Sequence, residues 1–283
     1  MKTSMIKVKP VFVNQLFPTL HNHLIALLKS LDEESWYKST ICPDWCVKDI
    51  VSHLLKDYIG TLSRKRDVYS NPNLKNKRFK DNKDFVRYIN KINEKWINAA
   101  KTLSPRVLIE LIGFTGELLF DYIENVDLMK VDSRVSWISE EKLPNWMDIA
   151  REYTEHWLHQ THIREAVSAP LLTTTNLFRP FIQTYMLALP KTYRNVKVQS
   201  DTKIVIEVTG NAGGNWLLCK EDDEWVLSED VGSDPQTKII IDQDTMWRLF
   251  SKGMTKENAE KRIKIKGNVT LGKSILNTVS LIA

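Results

Sequence analysis

Glu152-Tyr-Thr-Glu155-His156-Trp-Leu-His159-Gln-Thr-His162 carries three of the chain's six histidines within a few helical turns, interleaved with two carboxylates. On an α-helix, residues three, four or seven apart share one face, so Glu155, His159 and His162 fall on one line. A carboxylate and an imidazole four residues apart can hold one metal ion from adjacent turns. Glu152 and His156 have the same spacing. A helical wheel sets His156 nearer the apolar stripe of Ile149, Tyr153 and Ile163, but periodicity leaves both registers open. A further imidazole, His53, stands far upstream beside Ile50, Leu54 and Asp57. Helix bundles build metal sites from facing helices. Two imidazoles and one carboxylate would leave a position open for water, a thiol or a substrate oxygen. Such a set suits zinc and also accepts iron or nickel. His162, one turn beyond His159, is the candidate acid–base or ligand-orienting group, with a packing role as its rival. The bland alternative for the whole run is an amphipathic helix whose histidines hold no ion.

The elements that would position these groups are helical. Phe12, Leu16, Leu20, Leu24, Leu27 and Leu31 recur at helical period, with Pro18 kinking or delaying the helix. Val47, Ile50, Val51, Leu54, Tyr58 and Leu62 form the stripe of a second helix, which carries His53. Residues 71–82 read as a polar loop, and Phe85 to Ala99 as a third helix. Ser104-Pro105 supplies an N-cap and a first-turn proline for a fourth, running to about Met129 or breaking at Gly113 or Gly116. Pro144-Asn145 introduces the histidine-rich helix, which Pro170 closes. Beyond Phe178 comes a short bridging helix near 181–189. Alternating runs separated by Gly, Asn and Asp turns follow at Val196, Lys203, Trp216, Glu224 and Lys238. Arg262 to Lys266 reads as an edge strand with outward lysines, and Leu271 to Ile282 as a closing helix.

Bulk properties narrow the function classes. With 283 residues, 42% hydrophobic and 27% charged, the chain can bury one large core or two ordinary ones. A net charge of +5 without a long basic block gives no reason to expect nucleic acid; Arg64-Lys65-Arg66 reads as a solvated helix end. There is no apolar leader or membrane-length apolar run, and three cysteines are too few for a disulfide framework. A cytoplasmic protein, monomer or homodimer, is expected. Cys46 stands seven residues before His53 and shares its face. A Cys42–Cys46–His53 cluster or redox pair is conceivable, but a small helix-start residue is the simpler reading, with Trp45 as a packing anchor.

Trp36-Tyr-Lys-Ser-Thr-Ile-Cys-Pro-Asp-Trp-Cys-Val-Lys-Asp-Ile-Val-Ser-His-Leu resembles the signature of the mycothiol-dependent maleylpyruvate isomerase family, a branch of the DinB-like four-helix metalloproteins. The family pattern is a Trp, then Thr-x-Cys-Pro-Gly-Trp-Thr-Val-x-Asp, then His-Leu. Glu155-His-Trp-Leu-His159-Gln-Thr-His162-Ile-Arg-Glu-Ala resembles its second motif, Glu-x-x-x-His-x-x-Asp. Asp244-Thr-Met-Trp-Arg-Leu-Phe, with Ile265-Lys-Gly-Asn-Val-Thr-Leu-Gly-Lys, is similar to its sterol-carrier-like second domain. The resemblance implies an all-α DinB-like four-helix bundle over residues 1–178 and a smaller α+β sterol-carrier-like domain over 179–283. It places the metal ligands on His53, Glu155 and His159. The chain departs from the pattern at Asp44, where Gly is usual, at Cys46, where Thr or Ser caps the helix, and at His162, where Asp is common. Ser251-Lys252-Gly253-Met offers no counterpart to an arginine-bearing segment expected after Trp247.

The chemistry implied is addition of a low-molecular-weight thiol to a small electrophile, with rotation about the former double bond and elimination of the thiol, or else a thiol S-transfer. The cofactors would be a divalent metal, zinc before nickel or iron, and a thiol such as mycothiol or bacillithiol; a lysine- and asparagine-rich composition leans away from mycothiol. The rival is a non-enzymatic metal- and apolar-ligand-binding protein, with Trp216, Trp225, Phe250 and Leu276 lining a cavity. A third reading is a metal-free scaffold.

Overall fold

The structure, a computed structural model, describes residues 5–70, 79–232 and 234–281; the expected loop at 71–82 lies largely outside them. The chain divides into two compact units. One comprises Val13–Asp127 and Glu155–Leu172; the other comprises Met1–Phe12, Leu128–Thr154 and Thr173–Ile282.

The first unit is helical. Helix α1 (Phe17–Ser30) starts one residue before Pro18, which sits in its first turn, so the proline delays the helix without kinking it. Phe17, Leu20, Leu24 and Leu28 are its buried face. Helix α2 (Val47–Thr61) buries Val47, Ile50, Val51, Leu54, Leu55 and Tyr58, and ends in a π-helical turn at Leu62–Arg66. Helix α3 is Asn82–Ala100 and helix α4 is Pro105–Glu124. The Ser104 hydroxyl accepts from the Val107 N–H at 3.3 Å, the cap that the Ser-Pro pair foretells. Helix α4 runs through Gly113 and Gly116 unbroken. Helices α3 and α4 both pack on α2, and α1 packs on α4.

Helix α5 (Asn145–Ala166) carries the histidines, and the division between units falls within it, between Thr154 and Glu155. Its C-terminal half is tied to α1 through polar side chains. Gln160 donates to the Leu20 carbonyl at 3.0 Å, and the buried Arg164 donates to Gln160, to the Pro170 carbonyl and to the His23 carbonyl. Those bonds fix the rotation of α5, and hence the direction in which His159 faces.

The second unit holds a six-stranded mixed sheet. Its strands are β1 (Ile6–Lys7), β4 (Lys203–Thr209), β5 (Gly214–Glu221), β6 (Glu224–Ser228), β7 (Thr237–Asp242) and β8 (Lys264–Gly267), in the order β1-β6-β5-β4-β7-β8. β1 with β6 and β4 with β7 are parallel; the other pairs are antiparallel. β8 is an edge strand with Lys264 and Lys266 exposed, as the alternation predicts. A small pair, β2 (Val131–Ser133) and β3 (Leu143–Pro144), precedes α5. Helices α6 (Thr175–Met186), α7 (Leu189–Tyr193), α8 (Gln243–Phe250), α9 (Lys256–Glu260) and α10 (Val269–Lys273) complete the unit. The chain is thus helix-rich, with a mixed sheet in its C-terminal part.

Two expectations fail locally. Val196–Gln199 is no strand: the Val196 N–H turns back to the Tyr193 carbonyl at 2.8 Å. The closing helix is short, α10 followed by a 3₁₀ turn at Ser274–Asn277. Beyond it the Ser280 N–H and hydroxyl bond to the carbonyls of Phe250 and Tyr185, which draws the chain out of helical conformation. Trp216, Trp225, Phe250 and Leu276 are all buried. No helix among the described residues is long and apolar enough to cross a membrane.

Candidate metal centre

The loop before α2 is closed on itself, which fixes the cysteine and tryptophan it carries. Ser39 and Cys46 form an isolated antiparallel bridge. The Trp45 N–H bonds to the Cys42 carbonyl at 3.1 Å, and the Thr40 hydroxyl donates to the Trp45 carbonyl at 2.8 Å. Asp44, at the turn, takes a left-handed φ of 64°. Cys46 caps α2: the Asp49 carboxylate accepts from its N–H at 3.0 Å and from its thiol at 3.1 Å. The thiol of Cys46 is therefore engaged in starting the helix, the simpler of the two roles considered for it.

Two turns into α2, His53 is 8% exposed, and its ring lies 4.8 Å from that of His159 on α5, measured between centroids. Trp45 covers it at 5.0 Å. His53 Nε2 is 3.2 Å from Asp57 Oδ2, one turn on, while His53 Nδ1 is buried with no hydrogen-bond partner among the described residues. Burial lowers the pKa of His53 to about 4, against the raising effect of Asp57, so the ring is neutral at pH 7 and keeps a lone pair. His159, 9% exposed, also has a buried Nδ1 without a partner among the described residues. Its Nε2 lies 3.6 Å from Glu155 Oε2. That separation is long for a hydrogen bond. It is close to the spacing of about 3.3 Å expected of two donors sharing one tetrahedral ion at about 2.0–2.1 Å each.

His156 and Glu152 face elsewhere. His156 stacks on Tyr58 at 4.7 Å and meets Phe17 edge-on at 5.2 Å. Glu152 pairs with Arg151 at 2.5 Å. His162, 8% exposed, has its ring 5.6 Å from that of His159, and its Nδ1 is 3.3 Å from Cys42 Sγ. Donor atoms of Cys42, His159 and His162 all lie within 4.8 Å of one another. Burial pushes the Cys42 thiol up to about 11, against a lowering by the Thr40 hydroxyl, so without an ion it is a neutral S–H beside an imidazole.

Residues 17–164, more than half of the chain, match the family model for the mycothiol maleylpyruvate isomerase N-terminal domain. The chain belongs to that family. Its fold is also similar to a crystal structure of the mycothiol-dependent maleylpyruvate isomerase, with a TM-score of 0.51 at 11% identity over 83% of this chain and 86% of that one. A histidine-to-alanine mutant of that isomerase matches over the same shares at 0.50. The solution structure of sterol carrier protein domain 2 of Helicoverpa armigera aligns with 35% of this chain and 83% of its own, at 20% identity and a TM-score of 0.27. No curated protein matches the chain.

Sequence reasoning gave Asp57 no role and weighed Cys42 only in a Cys42–Cys46–His53 site, not beside His159 and His162. Asp57 was within reach, since it stands four residues after His53, the same spacing that singled out Glu155 and His159. Cys42 and His162 are 120 residues apart, and no local pattern joins them.

Proposed function

We propose that this chain is a metal-dependent enzyme that uses a low-molecular-weight thiol to isomerise, or transfer sulfur to, a small electrophile of the maleylpyruvate class. Its helical part, residues 1–178, would be a DinB-like four-helix scaffold, and residues 179–283 a smaller sterol-carrier-like domain. The observation that carries the reading is the meeting of His53 and His159, each with an unpartnered buried nitrogen, beside the Glu155 carboxylate. Buried polar atoms without partners are rare, and one on each of two neighbouring rings calls for a ligand.

The residues fit a divalent ion. His53, Glu155 and His159 would hold it, zinc first among the candidates, with nickel and iron admitted by the same donors. Asp57 orients His53, as carboxylates commonly do for metal-bound imidazoles. Once bound, the ion would acidify the sulfur of an incoming mycothiol, bacillithiol or related thiol and polarise a carbonyl oxygen of the electrophile. Trp45 shields one side of His53 from water. His162 Nδ1 stands beside the Cys42 sulfur at 3.3 Å.

Metal analysis of the purified chain, paired with thiol-consumption assays on maleylpyruvate and related unsaturated diketo acids, tests the reading. Stoichiometric metal should be present in the unsubstituted chain and lost in His53→Ala and His159→Ala. Unchanged metal content in His159→Ala would sink the ligand set. Metal binding without thiol-dependent turnover of any electrophile would leave a binding protein instead.

A further inference from the structure

Cys42 needs an explanation that the thiol-dependent reading does not supply. It sits at the entrance to the cluster, in a loop held rigid by the Thr40 and Trp45 bonds. A cavity of about 250 Å³ is lined by Thr40, Cys42, Asp44, Trp45, Cys46 and Asp49 among others, so Cys42 stands between that space and the histidines. On the inner side its sulfur touches His162 Nδ1 at 3.3 Å, and a donor of His159 lies within 4.8 Å of both. His159 and His162 are each more than nine-tenths buried. Three donors around one zinc ion, with sulfur at about 2.3 Å and nitrogen at about 2.0–2.1 Å, stand roughly 3.3–3.6 Å apart. The cluster would therefore close by about 1 Å, a change within the reach of side-chain torsions.

We propose that Cys42 is a resident thiolate ligand of the ion, held with His159 and His162, in the coordination position that an external thiol must take. The inference rests on the metal reading above and gives that site a regulator within the chain. Entry of a thiol is then a ligand exchange. The incoming sulfur loses its proton and bonds to the ion, the bond from Cys42 breaks, and Cys42 Sγ receives a proton. No electron changes hands, and the proton count is unchanged. The proton that the incoming thiol gives up is the one that Cys42 Sγ takes, so no further base is needed. Thiolate is a strong ligand for zinc, so the exchange favours a thiol at high local concentration and holds the site closed when thiol is scarce.

Cobalt(II) reports the ligand directly, because a thiolate bound to it gives a charge-transfer absorption that imidazole and carboxylate do not. The full-length chain, stripped with chelator and reloaded with cobalt, should show this band. Cys42→Ala should lose it while keeping stoichiometric cobalt, and Cys46→Ala should keep it. Adding 2-mercaptoethanol to cobalt-loaded Cys42→Ala should restore it, and the same variant should have a lower KM for external thiol. A loaded wild-type chain without the band, or a band that persists in Cys42→Ala, overturns the proposal. His53→Ala separates the two readings: cobalt and band both retained there would remove His53 from the ligand set and leave Cys42 in it. No cobalt in any chain would end both. Alkylation by iodoacetamide, mapped by peptide mass, gives a check that needs no variant. Zinc should slow labelling of Cys42 by about tenfold or more and leave Cys219 unchanged; equal labelling of Cys42 with and without zinc also overturns the proposal.

Discussion

Asp44 shows how one backbone angle shapes the candidate site. At φ 64° an ordinary L-residue brings its Cβ against a carbonyl oxygen at a cost of about 1–2 kcal/mol, less for Asp, which tolerates this region. The family pattern has Gly here, and the conformation supplies the reason: the chain must reverse between Cys42 and Trp45 for the loop to close on Ser39 and Cys46. Asp44→Gly should therefore stabilise the protein by up to about 1 kcal/mol, the relief of strain being partly offset by the freer unfolded chain. Asp44→Ala should destabilise it by about 1 kcal/mol. Urea unfolding midpoints of the two variants decide the matter; equal shifts of the same sign would mean that the angle is not the controlling feature. The residue scale is also where sequence reading reached its limit. Glu155 with His159, and His53 with Asp57, are joined by helical spacing and can be read from a line of letters. The contact of Cys42 with His162 exists only because α5 packs beside the α2 entry loop, and no periodicity encodes it.

Two glycines of α4 give opposite expectations that only helix packing can separate. Either was a possible break point, yet the helix passes through both. A Cβ built on Gly113 would meet nothing within 4 Å, whereas on Gly116 it would lie 2.5 Å from His21 Cε1. Gly113→Ala should thus stabilise by about 0.5–1 kcal/mol, the usual gain of alanine over glycine in a helix. Gly116→Ala should lose that gain and more, a net destabilisation of about 1–3 kcal/mol, because His21 cannot move without disturbing its contact with Tyr58 at 3.2 Å. Thermal melts of both variants test the pair, and stabilisation by Gly116→Ala would show that α1 yields readily to α4. The longer helices and the strands β4 to β8 follow from hydrophobic period, so most elements were legible. The strand β1 was not: two residues pair in parallel with Leu227 and Ser228, at the far end of the chain, and two residues carry no period. The pair β2–β3 is equally short and was hidden for the same reason.

Acid stability of the whole molecule should be governed by buried imidazoles before carboxylates contribute. His21 is 7% exposed, and burial lowers its pKa from 6.5 to about 4. His53 is lowered to about 4 as well, chiefly by burial. For a group whose folded pKa is depressed, the unfolded chain binds the proton first as pH falls. The contribution of each neutral ring is therefore fully present above about pH 6.5, is lost progressively as pH falls towards about 4, and is gone below it. A shift of this size corresponds to at most about 3 kcal/mol per ring. Metal-free protein should show a urea midpoint that is flat above about pH 7 and falls steeply between about pH 6 and 4. The exposed ion pairs, such as Lys7 with Glu221, add little because solvent screens them. His21→Gln, which cannot take up a proton there, should reduce the slope by roughly half, since His53 retains its share. Removing both rings should remove both shares, so the His21→Gln/His53→Gln double variant, free of metal, should be nearly flat across the window. A steep fall surviving in that combination would place the acid sensitivity outside these two rings.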